Sequence, residues 1–219
     1  MKRTHAEENY LKAIYMLSEG KERLVATTAM AEFLHTRAAS ITDMMQKLHH
    51  KGLVVYRKYQ GVTLTETGKQ SAIKILRKHL LWEVFLVEKL KFGWNEIHEV
   101  AEQLEHIDSD ILIDRLDHFL GSPYCNPHGI VIPNADGKIV TKPRLLMTDV
   151  AEGTSGIVSA IKDDSVAFLQ YLGKRNIYLG AKMTVIEKIK FDESMDITID
   201  NQHKINISRK ITDNILITL

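Results

Sequence analysis

The chain has 219 residues, of which 44% are hydrophobic and 26% charged, a balance typical of a globular protein with enough apolar material for a core. Its length allows one large domain or two to three small ones. The single cysteine, Cys125, excludes an internal disulfide and favours a reducing compartment. Because the N-terminus carries no apolar signal region and no run of about 18 apolar residues suggests a membrane span, we expect a cytoplasmic protein.

The formal net charge is only +1, but it is unevenly distributed along the chain. Residues 1–65 contain ten Lys or Arg against six Asp or Glu, with four histidines besides. Residues 94–120 contain eight acidic residues against Arg115 alone. A basic first part followed by an acidic middle favours one surface for an anionic partner and another for cations.

The basic part has the pattern of a winged helix-turn-helix domain. Apolar spacing and β-branched runs predict three helices and a hairpin, over residues 5–18, 28–34, 40–52 and 53–65. Thr27 or Thr28 is placed to cap the second helix, Gly52 ends the third, and Gly61 lies in the hairpin turn. We therefore predict a DNA-binding domain over residues 1–65. The alternative is a small helical domain that uses the same pattern for protein contacts.

The candidate DNA contacts lie near the third helix, which would enter the major groove, and on the wing. Arginine bridges guanine O6 and N7, and serine and threonine bond to bases or phosphates. Positive charge at a wing tip suits phosphates. The predicted DNA-binding residues are Thr28, Arg37, Ala39, Ser40, Thr42, Asp43, Gln46, Lys47, Arg57, Lys58 and Tyr59.

Two further helices are predicted on either side of the acidic stretch. Residues 65–91 read as one long helix that Thr65 could cap, with His79 and Glu83 one turn apart on one face. Residues 110–120 read as a short helix whose apolar side chains could complete a dimer interface, which would present two DNA-binding heads to a palindrome. These apolar residues are Ile111, Leu112, Leu116 and Phe119.

The acidic stretch itself, residues 97–107, reads as an amphipathic helix. Its apolar residues fall on one arc, and His98, Glu102, Glu105 and His106 fall on the other. Two glutamates this close repel unless water or a cation intervenes, and mixed imidazole and carboxylate ligands suit Mn, Fe, Co, Ni or Zn. With the histidine and glutamate of the preceding long helix, two antiparallel helices could converge on a metal ion. The alternative is a solvated acidic face.

The rest of the chain reads as a connecting segment and a β-rich tail. All four prolines fall between residues 121 and 144, where Cys125 and His128 are two isolated potential ligands. The tail from residue 145 has one helical run, DSVAFLQYLGKR, and no Gly-rich phosphate loop or Ser/His/Asp triad pattern. Its β-branched runs predict a small SH3-like barrel; they are IVSAI, IYLG, MTVIEKIKF, MDITID, KINISRK and ILITL.

Several segments together carry a resemblance that covers the whole chain. They are ENYLKAIYML, the segment ending HHKGLVVY, RKHLLWEVFL, and HEVAEQLEH followed by SPYCNPHGIVIP. In these segments the chain resembles the DtxR/MntR family of metal-dependent transcriptional repressors. The resemblance implies a mainly α fold with a β-rich C-terminal domain, in three parts. These are a winged helix-turn-helix domain over residues 1–65, a helical metal-binding and dimerisation domain over 66–144, and an SH3-like domain related to FeoA over 145–219.

The resemblance also implies two metal sites. The regulatory site matches Asn9, Glu102, Glu105 and His106; the second site matches His79, Glu83 and His98; weaker candidates are Glu8, Asp163 and Asp164. Iron-type members carry Cys at the position of Glu102, so the chain is similar to manganese-type members there. Manganese-type members, however, carry Asp where Asn9 stands and Glu where Lys12 stands, so their paired-metal arrangement does not carry over directly.

These observations predict a homodimeric, metal-activated repressor of metal-uptake genes that binds a palindromic DNA operator and is not an enzyme. An oxygen and nitrogen site without thiolate suits Mn²⁺ and tolerates Fe²⁺, while Zn²⁺, Co²⁺ or Ni²⁺ could bind in vitro. One alternative is a winged helix regulator that senses an organic ligand. Another is a zinc hydrolase, because residues 98–102 resemble the HExxH motif except that Glu102 replaces the second histidine.

Overall fold

The computed structural model of the chain describes residues 3–92, 96–140, 143–163 and 165–219. It confirms the predicted fold class, a helical N-terminal part and a six-stranded antiparallel sheet near the C-terminus. The chain divides into one unit of Met1–Trp82, Phe92–Leu116 and Pro133–Lys138, and another of Glu83–Lys91, Asp117–Ile132 and Ile139–Leu219. Among the described residues, no helix combines the length and the apolar character that a membrane span requires.

The first unit begins with the predicted order of three helices and a hairpin. The elements are α1 (His5–Leu17), α2 (Thr27–Phe33), α3 (Ala38–His50), β1 (Val54–Arg57) and β2 (Gly61–Leu64). Their core forms because apolar residues recur at helical spacing, so that α3 buries Ile41, Met45 and Leu48 on one face. The opposite face of α3 stays exposed, which leaves it available for a partner.

The helix starts agree only in part with the sequence prediction. Thr4 caps α1 in a capping box, in which it accepts from the Glu7 amide while the Glu7 carboxylate accepts from the Thr4 amide. The predicted cap of α2 by Thr27 or Thr28 is wrong, because Ala26 is the N-cap and makes no side-chain bond. Thr65 accepts from the Gly68 amide at 3.1 Å, which confirms its predicted capping role.

Three helices follow the hairpin: α4 (Glu66–Glu88), α5 (Ile97–Leu104) and α6 (Asp110–Phe119). The prediction that α5 continues to Ile107 is wrong. Glu105 is the C-cap, and the Ile107 amide bonds to the Leu104 carbonyl at 3.1 Å in a tight turn. Glu105 and His106 therefore lie at a helix end, not on the side of a helix.

The β-rich tail forms an antiparallel sheet in the order β3-β8-β4-β5-β6-β7. Its elements are β3 (Arg144–Leu146), β4 (Ser155–Ile161), α7 (Val166–Lys174), β5 (Lys182–Ile189), β6 (Ser194–Ile199), β7 (His203–Ile207), α8 (Arg209–Thr212) and β8 (Ile215–Thr218), with a 3-10 helix at Met147–Asp149. Among the described residues, the buried core of this sheet extends from Met147 to Ile217. The boundaries predicted at residues 65 and 144 stay predictions.

Two predicted strands of the tail differ in the structure. The run IYLG, residues 177–180, is not a strand, because a turn closed by the Ala181 amide on the Tyr178 carbonyl at 3.1 Å interrupts it. The run KINISRK is a strand only as far as Ile207, since Ser208 becomes the N-cap of α8. In both places the local turn outweighs β-propensity, which depends on context.

Gly68, in the first turn of α4, lies against the backbone after α3. A Cβ atom added there would stand 1.9 Å from the Leu53 carbonyl oxygen, whereas one added at Gly173 in α7 meets nothing within 4 Å. We expect Gly68→Ala to lower the free energy of unfolding by about 1–3 kcal/mol through this overlap. Gly173→Ala is the matched control and should raise it by up to about 1 kcal/mol, because alanine favours a helix.

Urea unfolding followed by circular dichroism measures both variants. Equal shifts of the unfolding midpoint in the two variants would contradict the close approach at Gly68.

Candidate metal centre and nucleic-acid interface

The buried carboxylate of Glu105 is the meeting point of three segments of the first unit. The Lys12 ammonium of α1 donates to Glu105 Oε2 at 2.6 Å, and His79 Nδ1 of α4 lies 2.6 Å from the same oxygen. Glu105 has no exposed surface, and Lys12 and His79 are also buried. Because a carboxylate oxygen only accepts, Nδ1 of His79 carries the hydrogen of that bond.

The surroundings of Glu105 keep it ionised. Burial by itself raises the pKa of Glu105, but the hydrogen bond from His79 and the charge and hydrogen bond of Lys12 outweigh it, so its pKa lies below its ordinary value. The interpretation of residues 97–107 as a solvated acidic face is therefore wrong for Glu105.

His106 follows Glu105 and is oriented by α1. Its Nδ1 lies 2.7 Å from Glu8 Oε2, so this nitrogen donates and the lone pair is left on Nε2. Nε2 in turn lies 3.8 Å from Glu105 Oε1. A carboxylate that fixes one imidazole nitrogen while the other stays available is the usual support of a metal-binding histidine.

Asn9 of α1 faces Glu102 of α5. Its amide nitrogen donates to Glu102 Oε1 at 3.0 Å, because the carboxylate can only accept. This bond uses the amide nitrogen of Asn9, so Asn9 Oδ1 remains as the acceptor that Glu102 does not engage. The four residues predicted for the regulatory site thus form two contacting pairs, Asn9 with Glu102 and His106 with Glu105.

Two buried oxygens of these residues have no hydrogen-bond partner within the part of the chain that the structure describes. They are Asn9 Oδ1 and Glu105 Oε1. A buried acceptor without a partner costs about 1–3 kcal/mol, which a bound cation would offset. The 3.8 Å between Glu105 Oε1 and His106 Nε2 is also within the span of two ligands that are each about 2.1 Å from one divalent ion. The residues present therefore fit a metal ion with oxygen and nitrogen ligands.

The residues predicted for the second site lie on α4 and α5. His79 Nε2 is 3.2 Å from His98 Nδ1, and Glu83 follows His79 by one turn of α4. Glu83 is buried, and its carboxylate accepts a hydrogen bond from the side-chain amide of Asn126 at 2.6 Å. Sequence reasoning did not identify Asn126, because it lies in the proline-containing segment far from Glu83 along the chain.

Of the weaker candidates, Glu8 contacts His106, and the two aspartates lie in the β-rich tail. Asp163 accepts from the Ser165 amide at 2.9 Å just before α7, and Asp164 lies outside the described residues. Burial raises the pKa of the Cys125 thiol to about 11. Because the thiolate is the metal ligand, this shift disfavours Cys125 as one.

The predicted DNA-binding residues lie mostly on the exposed surface of the first three helices and the hairpin. Exposed among them are Thr28, Arg37, Ala39, Ser40, Asp43, Gln46, Lys47, Arg57, Lys58 and Tyr59, whereas Thr42 is half-buried. Arg37 is the N-cap of α3, and Thr42 donates to the Ala38 carbonyl at 3.1 Å. The Lys58 ammonium lies 5.1 Å from the Tyr59 ring centre at the hairpin tip. This surface offers several positive charges and hydroxyls to a nucleic acid.

Glu7 joins α1 to α3, a connection that sequence reasoning missed. Its fully buried carboxylate lies 2.6 Å from the Lys51 ammonium and 3.1 Å from that of Lys47. Although burial raises the pKa of Glu7, bonds from Lys51, the Thr4 amide and Lys47 lower it to about 2. The sequence signal was an acidic residue at a position of α1 that the helical pattern buries. It could not identify the partners of Glu7, because these lie 40 and 44 residues further along the chain.

Three family profiles match consecutive parts of the chain. They describe an iron dependent repressor N-terminal DNA binding domain over residues 2–62, an iron dependent repressor metal binding and dimerisation domain over 65–134, and a FeoA domain over 145–219. Together these matches span nearly the whole chain.

Relatives and solved structures agree with the profiles. An uncharacterized HTH-type transcriptional regulator of Methanocaldococcus jannaschii is 41% identical over 113 residues, which are 52% of this chain and 90% of that protein. The iron-dependent repressor IdeR of Mycobacterium tuberculosis is 34% identical over 58% of this chain and 54% of its own length. A manganese-dependent transcriptional repressor in complex with manganese is 32% identical, with a TM-score of 0.63 over 97% of this chain and 99% of that one.

The buried position of Glu7 predicts a large effect of removing its charge. We expect Glu7→Gln to lower the free energy of unfolding by about 1–3 kcal/mol, because two lysines lose their carboxylate partner. Glu19→Gln is the matched control: Glu19 also contacts two basic side chains, Lys21 and Arg23, but is exposed, so its loss should leave the unfolding midpoint nearly unchanged. Chemical unfolding at neutral pH measures both, and equal losses would contradict the role of burial.

Proposed function

The chain belongs to the iron-dependent repressor family, and from this we propose that it is a metal-activated, DNA-binding transcriptional repressor. The observation that carries the proposal is that Asn9 Oδ1 and Glu105 Oε1 are buried without a hydrogen-bond partner among the described residues, and that Glu105 Oε1 lies 3.8 Å from Nε2 of the oriented His106. Mn²⁺ or Fe²⁺ is the co-repressor that we propose, because IdeR is named iron-dependent and the similar solved repressor contains manganese.

We propose that Asn9 Oδ1, Glu102, Glu105 Oε1 and His106 Nε2 hold the metal. Glu8 is then a positioning residue, because it already accepts from His106 Nδ1. When bound, the metal would supply a positive charge to which oxygen and nitrogen ligands from both α1 and residues 102–106 are attracted. This donor set has no thiolate, which suits Mn²⁺ and Fe²⁺ better than the softer ions.

The chain's own residues connect this centre to the DNA-binding surface. Asn9 contacts Glu102 of α5, and Glu8 contacts His106 just after that helix. Glu7 of the same α1 contacts Lys47 of α3 and Lys51 at its C-cap. Any group that fixes α1 against residues 102–106 therefore also restricts α3. We propose that this connection couples metal binding to DNA affinity, and such couplings are typically about 1–3 kcal/mol.

The other predicted features complete the proposal. We propose a second metal site at His79, Glu83 and His98. We propose α3 and the hairpin as the DNA-binding surface, and dimerisation through α6, where exposed Ile111, Leu112 and Phe119 recur within about 100° of arc. A homodimer would present two α3 helices to a palindromic operator of metal-uptake genes.

We propose no enzymatic role for residues 98–102. The HExxH motif needs a second imidazole at the position of Glu102. Glu102 instead accepts a hydrogen bond from Asn9, which links it to α1. This contact supports a regulatory role for the helix over a hydrolytic one.

The metal assignment is tested with isosteric variants. Glu102→Gln should weaken Mn²⁺ binding at least tenfold by calorimetry, because it loses a charged ligand yet can still accept from Asn9. Glu99→Gln, an exposed change on the same helix, is the matched control and should bind Mn²⁺ like the parent. Glu102→Cys should shift preference toward Zn²⁺, since thiolate favours softer ions.

DNA duplexes selected from a random pool in the presence of Mn²⁺ give the functional readout. A Glu102→Gln protein that keeps the parent's Mn²⁺ midpoint for binding these duplexes would refute the assigned centre.

The hairpin assignment predicts a change in salt dependence. Arg57→Ala and Lys58→Ala should each weaken binding to all duplexes and flatten the plot of log K against log salt by about 0.9, because each removes one phosphate contact. Lys174→Ala, an exposed change in α7, is the control and should leave the slope unchanged. Tolerance at a single base position with an unchanged slope would instead indicate base recognition.

A further inference from the structure

Lys12 is an unusual component of a proposed metal centre, because its ammonium is itself a buried cation. It lies in the buried run of residues 11–15 and donates to Glu105 Oε2 at 2.6 Å. A buried ammonium is stable only when it is paired and hydrogen-bonded, and Glu105 supplies that partner. Glu105 thus has one oxygen taken by Lys12 and His79 and the other oxygen unpartnered.

We propose that Lys12 is a tethered cation of the regulatory centre, which limits the centre to one divalent ion and holds α1 to Glu105 before any metal binds. The inference rests on the proposed function, because it concerns the same centre. It goes beyond that function in assigning a role to a residue that binds no metal.

The first argument is the charge of the centre. Glu8, Glu102 and Glu105 supply three negative charges, which Lys12 and Arg3, 4.0 Å from Glu8, partly balance. The remaining charge of −1 suits a single divalent ion. A second divalent ion that used Glu105 Oε2 would meet the Lys12 ammonium, which lies 2.6 Å from that oxygen and would repel the ion.

The second argument is the connection between segments. Lys12 and Glu105 are 93 residues apart in the chain, yet their contact is buried and direct. Because the Lys12 ammonium is covalently part of α1, it cannot leave the site as a metal ion can. It therefore keeps α1 in contact with Glu105 when metal is removed. The metal-free protein should therefore keep α1 ordered, and metal should strengthen contacts between α1 and residues 102–106 that already exist.

The stoichiometry of metal binding tests the first consequence. In a His98→Ala background, which removes a ligand of the second proposed site, calorimetry should give one Mn²⁺ per chain. Adding Lys12→Glu should raise this to two, because a cation is replaced by a carboxylate. Lys12→Arg keeps the charge and should leave one. An unchanged count in Lys12→Glu would overturn the limit that we assign to Lys12.

Hydrogen exchange of residues 5–17 in the presence of a chelator tests the second consequence. Lys12→Met should lose at least tenfold in protection, and Lys12→Arg should retain it. Lys21→Met is the matched control, since Lys21 also pairs with a glutamate, at 3.0 Å, but is exposed. Parent-like protection in Lys12→Met would overturn the tether. If Lys12→Met does not fold, the Mn²⁺ count of Lys12→Glu decides the proposal.

The two levels of inference fail differently. If the parent protein binds no Mn²⁺, or if Glu102→Gln leaves its Mn²⁺ affinity unchanged, the proposed function and the role of Lys12 are both overturned. A parent that binds Mn²⁺ through Glu102, but whose Lys12 variants behave like the parent, would overturn only the role of Lys12.

Discussion

The carboxylate of Glu105 is the constraint on which the arrangement of the first unit depends. It is fully buried and ionised, so the structure must surround it with donors, and these come from α1 and α4. Replacing such a pair by apolar residues is often neutral or stabilising, which argues against stability as the reason for keeping it. Specificity is the better reason, since only one register of α1 places Lys12 on Glu105 and Asn9 on Glu102 together.

Helix α1 links this constraint to α3, where we propose the DNA-binding surface, because its polar residues lie on two sides. At about 100° per residue, Glu8, Asn9 and Lys12 share an arc of about 100°, and Glu7 lies outside it. The shared arc contacts residues 102–106, and Glu7 contacts α3. The apolar residues of α1 pack between these two sets, so a shift of α1 disturbs both at once.

The sequence was sufficient for features that depend on local pattern. The three helices and the hairpin, the length of α4 and most strands follow from spacing and turn residues. It failed where a side chain's partner is distant, since nothing near Glu7 or Lys12 indicates Lys51 or Glu105. The end of α5 at Leu104 was also missed, because the apolar spacing continues to Ile107 although the backbone turns. Of the predicted ligands, Asn9 was placed through family resemblance, as amide side chains carry no ligand pattern of their own.

A buried lysine beside a metal centre changes what the metal can regulate. A ligand shifts a conformational equilibrium only by the difference in its affinity for the two states. If Lys12 already holds α1 to Glu105, the metal-free state is close to the DNA-binding state, and the metal contributes the smaller increment made through Asn9, Glu102 and His106. The contact between Lys12 and Glu105 therefore reduces the change in DNA affinity that metal binding can cause. In return the centre is preorganised, because the ligands from two segments are in place before the ion binds. Preorganisation lowers the entropic cost of binding, which matters for an ion such as Mn²⁺ whose intrinsic affinity for nitrogen and oxygen donors is low.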